Sequence, residues 1–220
     1  MSPGIHSNMN FPAAASVLGM LSAAGGLIVV AVAVVVLLSM HKVRIVRMVL
    51  RFTGICTGVY LALLLGFSVA SHDTVLARGQ EKYFCEIDCH LAYSIVGMER
   101  NSVGTGTQVV IWVRTRFDEN TISPQRPKEV PLVPNARWAR LVDSRGVQYG
   151  QISSAGTPFS TPLKPGDSYV TTLNFEVPGS VDLGSLRLLM TSPEWQERAM
   201  IGDENSWLHG KTYFAIAPVL

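Results

Sequence analysis

Two uncharged stretches constrain this chain more than any other feature. Ser16 to Met40 reads SVLGMLSAAGGLIVVAVAVVVLLSM, and Phe52 to Ala70 reads FTGICTGVYLALLLGFSVA. About 20 apolar residues in a helix cross the hydrocarbon core of a bilayer. Each run therefore predicts a membrane-spanning helix. Between them lies HKVRIVRMVLR, residues 41–51, with four fixed positive charges. Short basic loops stay cytoplasmic. The expected arrangement is a helical hairpin over 16–70 with a cytoplasmic loop at 41–51. The tail 1–15 and everything after residue 70 fall on the far side. A cleaved signal peptide fits poorly, because residues 1–41 contain no Lys or Arg and the first run exceeds a usual apolar core of roughly 7–15 residues.

Charge is divided along the chain. Residues 1–70 hold Lys42, Arg44, Arg47 and Arg51 and no acid, so all 16 Asp and Glu lie beyond them. Overall 15% of residues are charged and 48% hydrophobic, against about 25% charged in a soluble domain. The polar remainder is slightly acidic, which excludes a basic nucleic-acid footprint. Three cysteines are too few for a disulfide-dense miniprotein.

Small residues recur in both spans. Gly54 and Gly58 form GxxxG, and Gly19, Ala23, Gly25 and Gly26 cluster in the first helix. Such residues let helices approach closely, either within the hairpin or against a larger membrane complex.

Residues 71–84 read as a polar linker, and from 85 the periodicity becomes two. Cys85, Ile87, Cys89, Leu91, Tyr93 and Ile95 alternate with Glu86, Asp88, His90, Ala92, Ser94 and Val96, which predicts one strand over 85–96. Further strands are expected over Val109–Phe117, Arg137–Asp143, Val147–Ile152, Tyr169–Val177, Leu186–Met190 and Lys211–Ala217. Ser144-Arg145-Gly146, Pro165-Gly166 and Pro178-Gly179 punctuate them. Ser192-Pro193-Glu194 opens one short helix that ends near Gly202. Short strands with Pro/Gly turns and almost no helix predict an antiparallel sandwich over 85–220.

The succession LVDSRGVQYG, TPLKPGDSYVTTLNFEVP and LRLLM resembles the telokin-like, immunoglobulin-like domains of bacterial secreted proteins and lipoproteins, over roughly residues 85–190. The resemblance implies an immunoglobulin-like fold and an extracytoplasmic place, and no chemistry. The expected fold is thus an all-β immunoglobulin-like antiparallel sandwich preceded by a two-helix transmembrane hairpin.

Cys85-Glu-Ile-Asp-Cys89-His90 is the string closest to a chemical motif. It misses the c-type haem pattern C-x-x-C-H by one residue. Its C-x-x-x-C spacing resembles copper-delivery proteins and the dicopper subunit of oxidases. In an extended strand the two Cα atoms stand about 13 Å apart at ~3.3 Å per residue, beyond disulfide or shared-metal reach. The expectation is buried structural thiols. A disulfide in a turn, or a metal site with His90, remains open. Glu86, Asp88 and His90 form a solvated row, and Arg114, Arg116, Arg126 and Lys128 a modest basic patch.

Trp195, Met200 and Trp207 lie among charged residues in TSPEWQERAMIGDENSWLHG, a composition suited to a contact patch. Together with Gly54 and Gly58 they are the expected partner-facing residues. The chain reads as a non-catalytic accessory or scaffolding subunit of a bacterial inner-membrane complex, respiratory or photosynthetic. Its expected partners are integral-membrane subunits and lipid, with no cofactor, nucleic acid or small-molecule substrate. The alternative is a periplasmic redox or copper-handling protein using Cys85, Cys89 and a His.

Overall fold

The computed structural model describes residues 6–85, 89–104, 106–121 and 129–216. They form two compact units. One comprises residues up to 8, 72–195 and from 210 onwards; the other comprises 9–71 and 196–209.

The second unit is built on α1 (Ala13–Ser39) and α2 (Val43–Val69). Both are long and apolar enough to cross a membrane. Helix α2 begins nine residues before the uncharged run does. The basic segment 41–51 is therefore mostly helix rather than loop, and the turn shrinks to Met40–Lys42, with His41 at φ 58°. Val43, Ile45, Val46 and Val49 supply the apolar face that carries the helix down to this turn. Val46 is buried, while Arg44, Arg47 and Arg51 are exposed.

The first unit is a large curled mixed sheet, sandwich-like in form. Its strands are β1 (His6–Ser7), β2 (Thr74–Leu76), β3 (Lys82–Phe84), β4 (Leu91–Val103), β5 (Gly106–Phe117), β6 (Trp138–Val142), β7 (Gln148–Gly156), β8 (Ser168–Pro178), β9 (Arg187–Thr191) and β10 (Thr212–Ala215). They run in the order β1-β3-β4-β5-β8-β7-β6-β9-β10-β2. Strand β7 pairs with β8 and with β6, which lets the sheet curl over one core. Two pairs, β1 with β3 and β2 with β10, are parallel. The all-antiparallel expectation is corrected there, because segments flanking the helical hairpin add edge strands in parallel. The stretch 71–84 is likewise not a plain linker, since it holds β2 and β3.

Alternation along β4, β5 and β8 buries Tyr93, Ile95, Val109, Ile111, Val113, Leu173 and Phe175 against Leu141, Leu188, Met190 and Phe214. The turns explain the sequence signals. Asp143 Oδ1 accepts from the N–H groups of Arg145 and Val147, each at 2.9 Å, and Gly146 takes φ 81°. Tyr149 Oη then donates to Asp143 Oδ2 at 3.2 Å, so the D-x-x-G-x-x-Y pattern closes on its own aspartate. The short helix expected from Pro193 is a single 3-10 segment, Trp195–Ala199.

Phe175 is fully buried at the centre of β8. Phe175→Ala is expected to lower stability by about 3–5 kcal/mol, measured by guanidinium unfolding of the full chain. A loss below about 1 kcal/mol would contradict this packing.

Candidate functional site

The strand expected over 85–96 begins only at Leu91, where β4 starts. Lys82, Tyr83 and Phe84 pair with Tyr93, Ala92 and Leu91, so residues 85–90 connect β3 to β4. Cys85 and Cys89 close that connection as a disulfide, their Cα atoms 4.2 Å apart. Buried free thiols are thereby corrected. The reversal brings the two residues from an extended separation of about 13 Å into bonding reach. Both sulfurs are consumed, so neither is a thiolate ligand in this state. Among the described residues no group of three His, Cys, Asp or Glu could hold a metal. Glu86 and Asp88 of the expected polar row, and Arg126 and Lys128 of the basic patch, lie outside the described residues.

Asn8, placed by β1, clamps the disulfide connection. Its N–H donates to Tyr83 O at 3.0 Å, its Oδ1 accepts from Cys85 N at 2.7 Å, and its Nδ2 donates to Cys85 O at 3.4 Å. His90 is buried rather than solvated. It stacks on Phe117 with ring centroids 5.4 Å apart, and its Nδ1 lies 2.7 Å from Thr121 Oγ1.

Beside this connection sits an ionic cluster that sequence periodicity did not reveal. Arg116 Nε and an Nη donate to the two carboxylate oxygens of Glu81 at 2.8 and 2.7 Å. Tyr83 Oη donates to Asp118 Oδ2 at 2.6 Å, and Arg116 reaches Tyr83 Oη and Asp118 as well. Arg114 lies 3.7 Å from Glu81. Burial opposes ionisation of Asp118, but donation from Tyr83, Asn120 N–H and Arg116 outweighs it and holds the carboxyl down to about 2. Hydrogen bonding from Arg116 lowers Glu81. Burial, then the bond to Asp118, pushes the Tyr83 phenol well above its usual range. These groups satisfy one another.

Lys82, fully buried, donates to Met190 O at 3.0 Å and Thr212 O at 3.3 Å. Its Nζ lies 4.6 Å from the Phe84 ring centroid, and Arg137 Cζ lies 4.3 Å from the same ring. The cation thus ties β3 to β9 and β10.

In the helical unit, buried Val46, Leu64 and Ser68 and half-buried Thr53, Thr57 and Tyr60 share one face of α2. Gly54 and Gly58 are exposed on another face, and a Cβ at either position would meet nothing within 4 Å. Packing of GxxxG within the hairpin is therefore excluded. Segment 196–209 packs onto the helices: Tyr60 Oη donates to Ala199 O at 2.6 Å, and Asn10 N–H donates to Gly202 O at 2.9 Å. Phe11 meets Phe67 edge-on at 4.9 Å.

Met200 is buried and accepts at its carbonyl from Ser206 Oγ, so it belongs to the fold of that segment and not to an exposed patch. Trp195 and Trp207 are 73% and 61% exposed, and Leu208 is 75% exposed. An apolar cleft of about 500 Å³ opens between α1 and α2, lined in part by Gly26, Phe52, Cys56, Tyr60 and Ala199.

The chain is thus a β-sandwich-like domain joined to two helices long and apolar enough to cross a membrane. It matches no protein-family model and no curated protein. Among solved structures it is similar to an uncharacterized β-sandwich protein from Clostridium difficile 630. The identity is 9% over 67% of this chain and 96% of that chain, with a TM-score of 0.39.

Two outcomes follow from this geometry. The Asp118 carboxyl titrates near 3.9 when unfolded and near 2 when folded. Its contribution is complete above the unfolded value and is lost as pH falls from about 4 to 2. That contribution is about 2 kcal/mol. Unfolding of the full chain across this window should lose stability more steeply than in Asp118→Asn; parallel profiles would contradict the cluster. Removing the disulfide by Cys85→Ser with Cys89→Ser should cost about 2 kcal/mol for so short a loop, and an unchanged midpoint would contradict its structural role.

Proposed function

We propose that this protein is a non-catalytic, membrane-anchored accessory subunit of a bacterial inner-membrane complex. Its two helices hold it in the bilayer, and an immunoglobulin-like sandwich faces the periplasm together with the N-terminal segment. The observation that carries this reading is the contrast between its polar and apolar surfaces. The polar groups of the Glu81–Arg116–Tyr83–Asp118 cluster are paired with one another. In contrast, Trp195, Trp207 and Leu208 stand exposed, and Gly54 and Gly58 leave an open helix face. Large exposed aromatics near charged residues suit contact surfaces with a polar rim, one at Trp195 and one at Trp207 and Leu208. Small residues on a helix suit close approach of another helix. In the alternative, a periplasmic redox or copper-handling protein, the Cys85–Cys89 disulfide would be the oxidised form of the working pair, and copper binding would require its reduction.

The full chain extracted from native membranes in mild detergent should migrate in an assembly larger than itself. Trp195→Ala with Trp207→Ala should weaken that retention several-fold while the sandwich still unfolds at the wild-type midpoint. A monodisperse single chain from gently solubilised membranes would overturn the reading.

A further inference from the structure

The two helices of the hairpin are held together at both ends and stand apart between them. At one end the turn Met40–Lys42 joins them, and Val46 is buried near it. At the other end Asn10 Nδ2 donates to Phe67 O at 3.0 Å, Phe11 packs edge-on against Phe67, and Ser16, Leu64 and Ser68 are buried. Between these ends no residue of either helix is fully buried. The cleft of about 500 Å³ lies in this interval, within the helical unit. Along α2 it runs from Phe52 to Leu61, about 14 Å at 1.5 Å per residue. Small side chains make the gap. Ala23, Ala24 and Gly26 line it from α1, and Cys56 and Thr57 from α2. A Cβ at Gly26 would meet nothing within 4 Å.

No charged or amide side chain lines the cleft. Thr53 Oγ1 donates to Val49 O at 2.9 Å and Tyr60 Oη to Ala199 O at 2.6 Å, so both hydroxyls are spent within the chain. Ser22 and Thr57 supply the remaining hydroxyls. Such a lining suits hydrocarbon and offers nothing to hold a charge. The position of the cleft is also insensitive to how the hairpin is set in a bilayer. Each helix has 27 residues and is about 40 Å long, against ~30 Å for a hydrocarbon core. Phe52 and Leu61 lie about 14 and 12 Å from the two ends of α2. Any core that falls within the helices covers every level more than about 10 Å from both ends. The whole cleft therefore lies in the acyl layer in each such setting.

We infer that this cleft binds one acyl chain of a membrane phospholipid, held between α1 and α2. The inference rests on the reading that the hairpin spans a bilayer, and not on the accessory role. A transmembrane helix, from a second copy or from another protein, does not fit between α1 and α2. A helix with its side chains is about 10–12 Å across, and its passage would part Phe67 from Asn10 and Phe11, which bind it. A single hydrocarbon chain needs no such separation. It supplies the dispersion contacts that an opening between apolar walls lacks, and it fills the interval between the buried residues at Val46 and Leu64.

The test uses the full chain, in nanodiscs of phosphatidylethanolamine and phosphatidylglycerol and in native membranes, each doped with a phospholipid that carries a diazirine in mid-chain. Crosslinks should concentrate on Leu27, Phe52 and Cys56, which line the cleft, over Ile28, Ile55 and Val59, which are exposed elsewhere on the same helices. Native mass spectrometry of the chain extracted from native membranes should show one phospholipid retained per wild-type chain. Gly26→Leu fills the cleft and should retain at least ten-fold less. Gly25→Leu, outside the lining, should retain as much as wild type. Both variants replace a helix glycine with a stronger helix former, so neither should melt below wild type, and the wild-type crosslink map decides the matter should either fail to fold. An even spread of crosslinks over both sets of residues would overturn the inference, as would wild-type retention of lipid by a folded Gly26→Leu. Retention of a free fatty acid, or of no lipid, by wild type would also overturn it. Crosslinks to the lining in nanodiscs but not in native membranes would place protein side chains in the cleft, which overturns the inference and leaves the accessory reading standing. Crosslinks to neither helix in either setting would overturn both.

Discussion

The arrangement depends on a short pairing across the hairpin: His6 and Ser7, before α1, lie in register with Lys82 and Tyr83, after α2. A chain can meet this constraint only if the segment between returns to the side from which it left. Two antiparallel helices of equal length do so. Asn8 extends the pairing by bonding both backbone groups of Cys85, and the Cys85–Cys89 disulfide then closes the connection to β4. A backbone donor or acceptor left unpaired in a buried place costs on the order of 1–3 kcal/mol. The N-terminal segment is therefore part of the sandwich, although two helices of 27 residues each separate it from the next strand.

The two compact units manage their polar groups differently. In the sandwich, buried charge is compensated at short range. Arg116 grips Glu81 with two hydrogen bonds, Asp118 receives three kinds of donor, and Lys82 caps two carbonyls. In the helical unit, Arg44, Arg47 and Arg51 are exposed on the outward face of α2, and a Cβ at Gly54 or Gly58 would meet nothing within 4 Å. Closed polar networks like that of the sandwich stabilise a fold.

Much of this was legible from sequence where periodicity and turn chemistry agreed. Strands β5, β8 and β6 follow their alternation and their Pro-Gly or Ser-Arg-Gly turns, and Phe175 lies in the core as its position in β8 implies. Other features were hidden for physical reasons. Alternation continues through Cys85–His90 even though the backbone reverses there, because period two records side-chain type and not chain direction. The helical character of residues 43–51 was masked by arginines, which on one helix face are compatible with an apolar opposite face. Met200 resembled an interface residue by composition, but a local hydrogen bond from Ser206 folds its segment and buries it. The Glu81–Arg116–Asp118 cluster joins residues 35 or fewer positions apart through strand pairing, which no local motif announces.

The proposal tested most directly is that the hairpin crosses a membrane, with Ser39 on the cytoplasmic side and Ser153 on the periplasmic side. In a Cys56→Ala background, single cysteines at Ser39, next to the turn, and at Ser153, exposed on β7, can be reacted in intact cells with a maleimide that reaches the periplasm but not the cytoplasm. The account predicts labelling at Ser153→Cys in intact cells and at Ser39→Cys only after the inner membrane is permeabilised. Labelling at Ser39→Cys in intact cells, or protection at Ser153→Cys until permeabilisation, would contradict it.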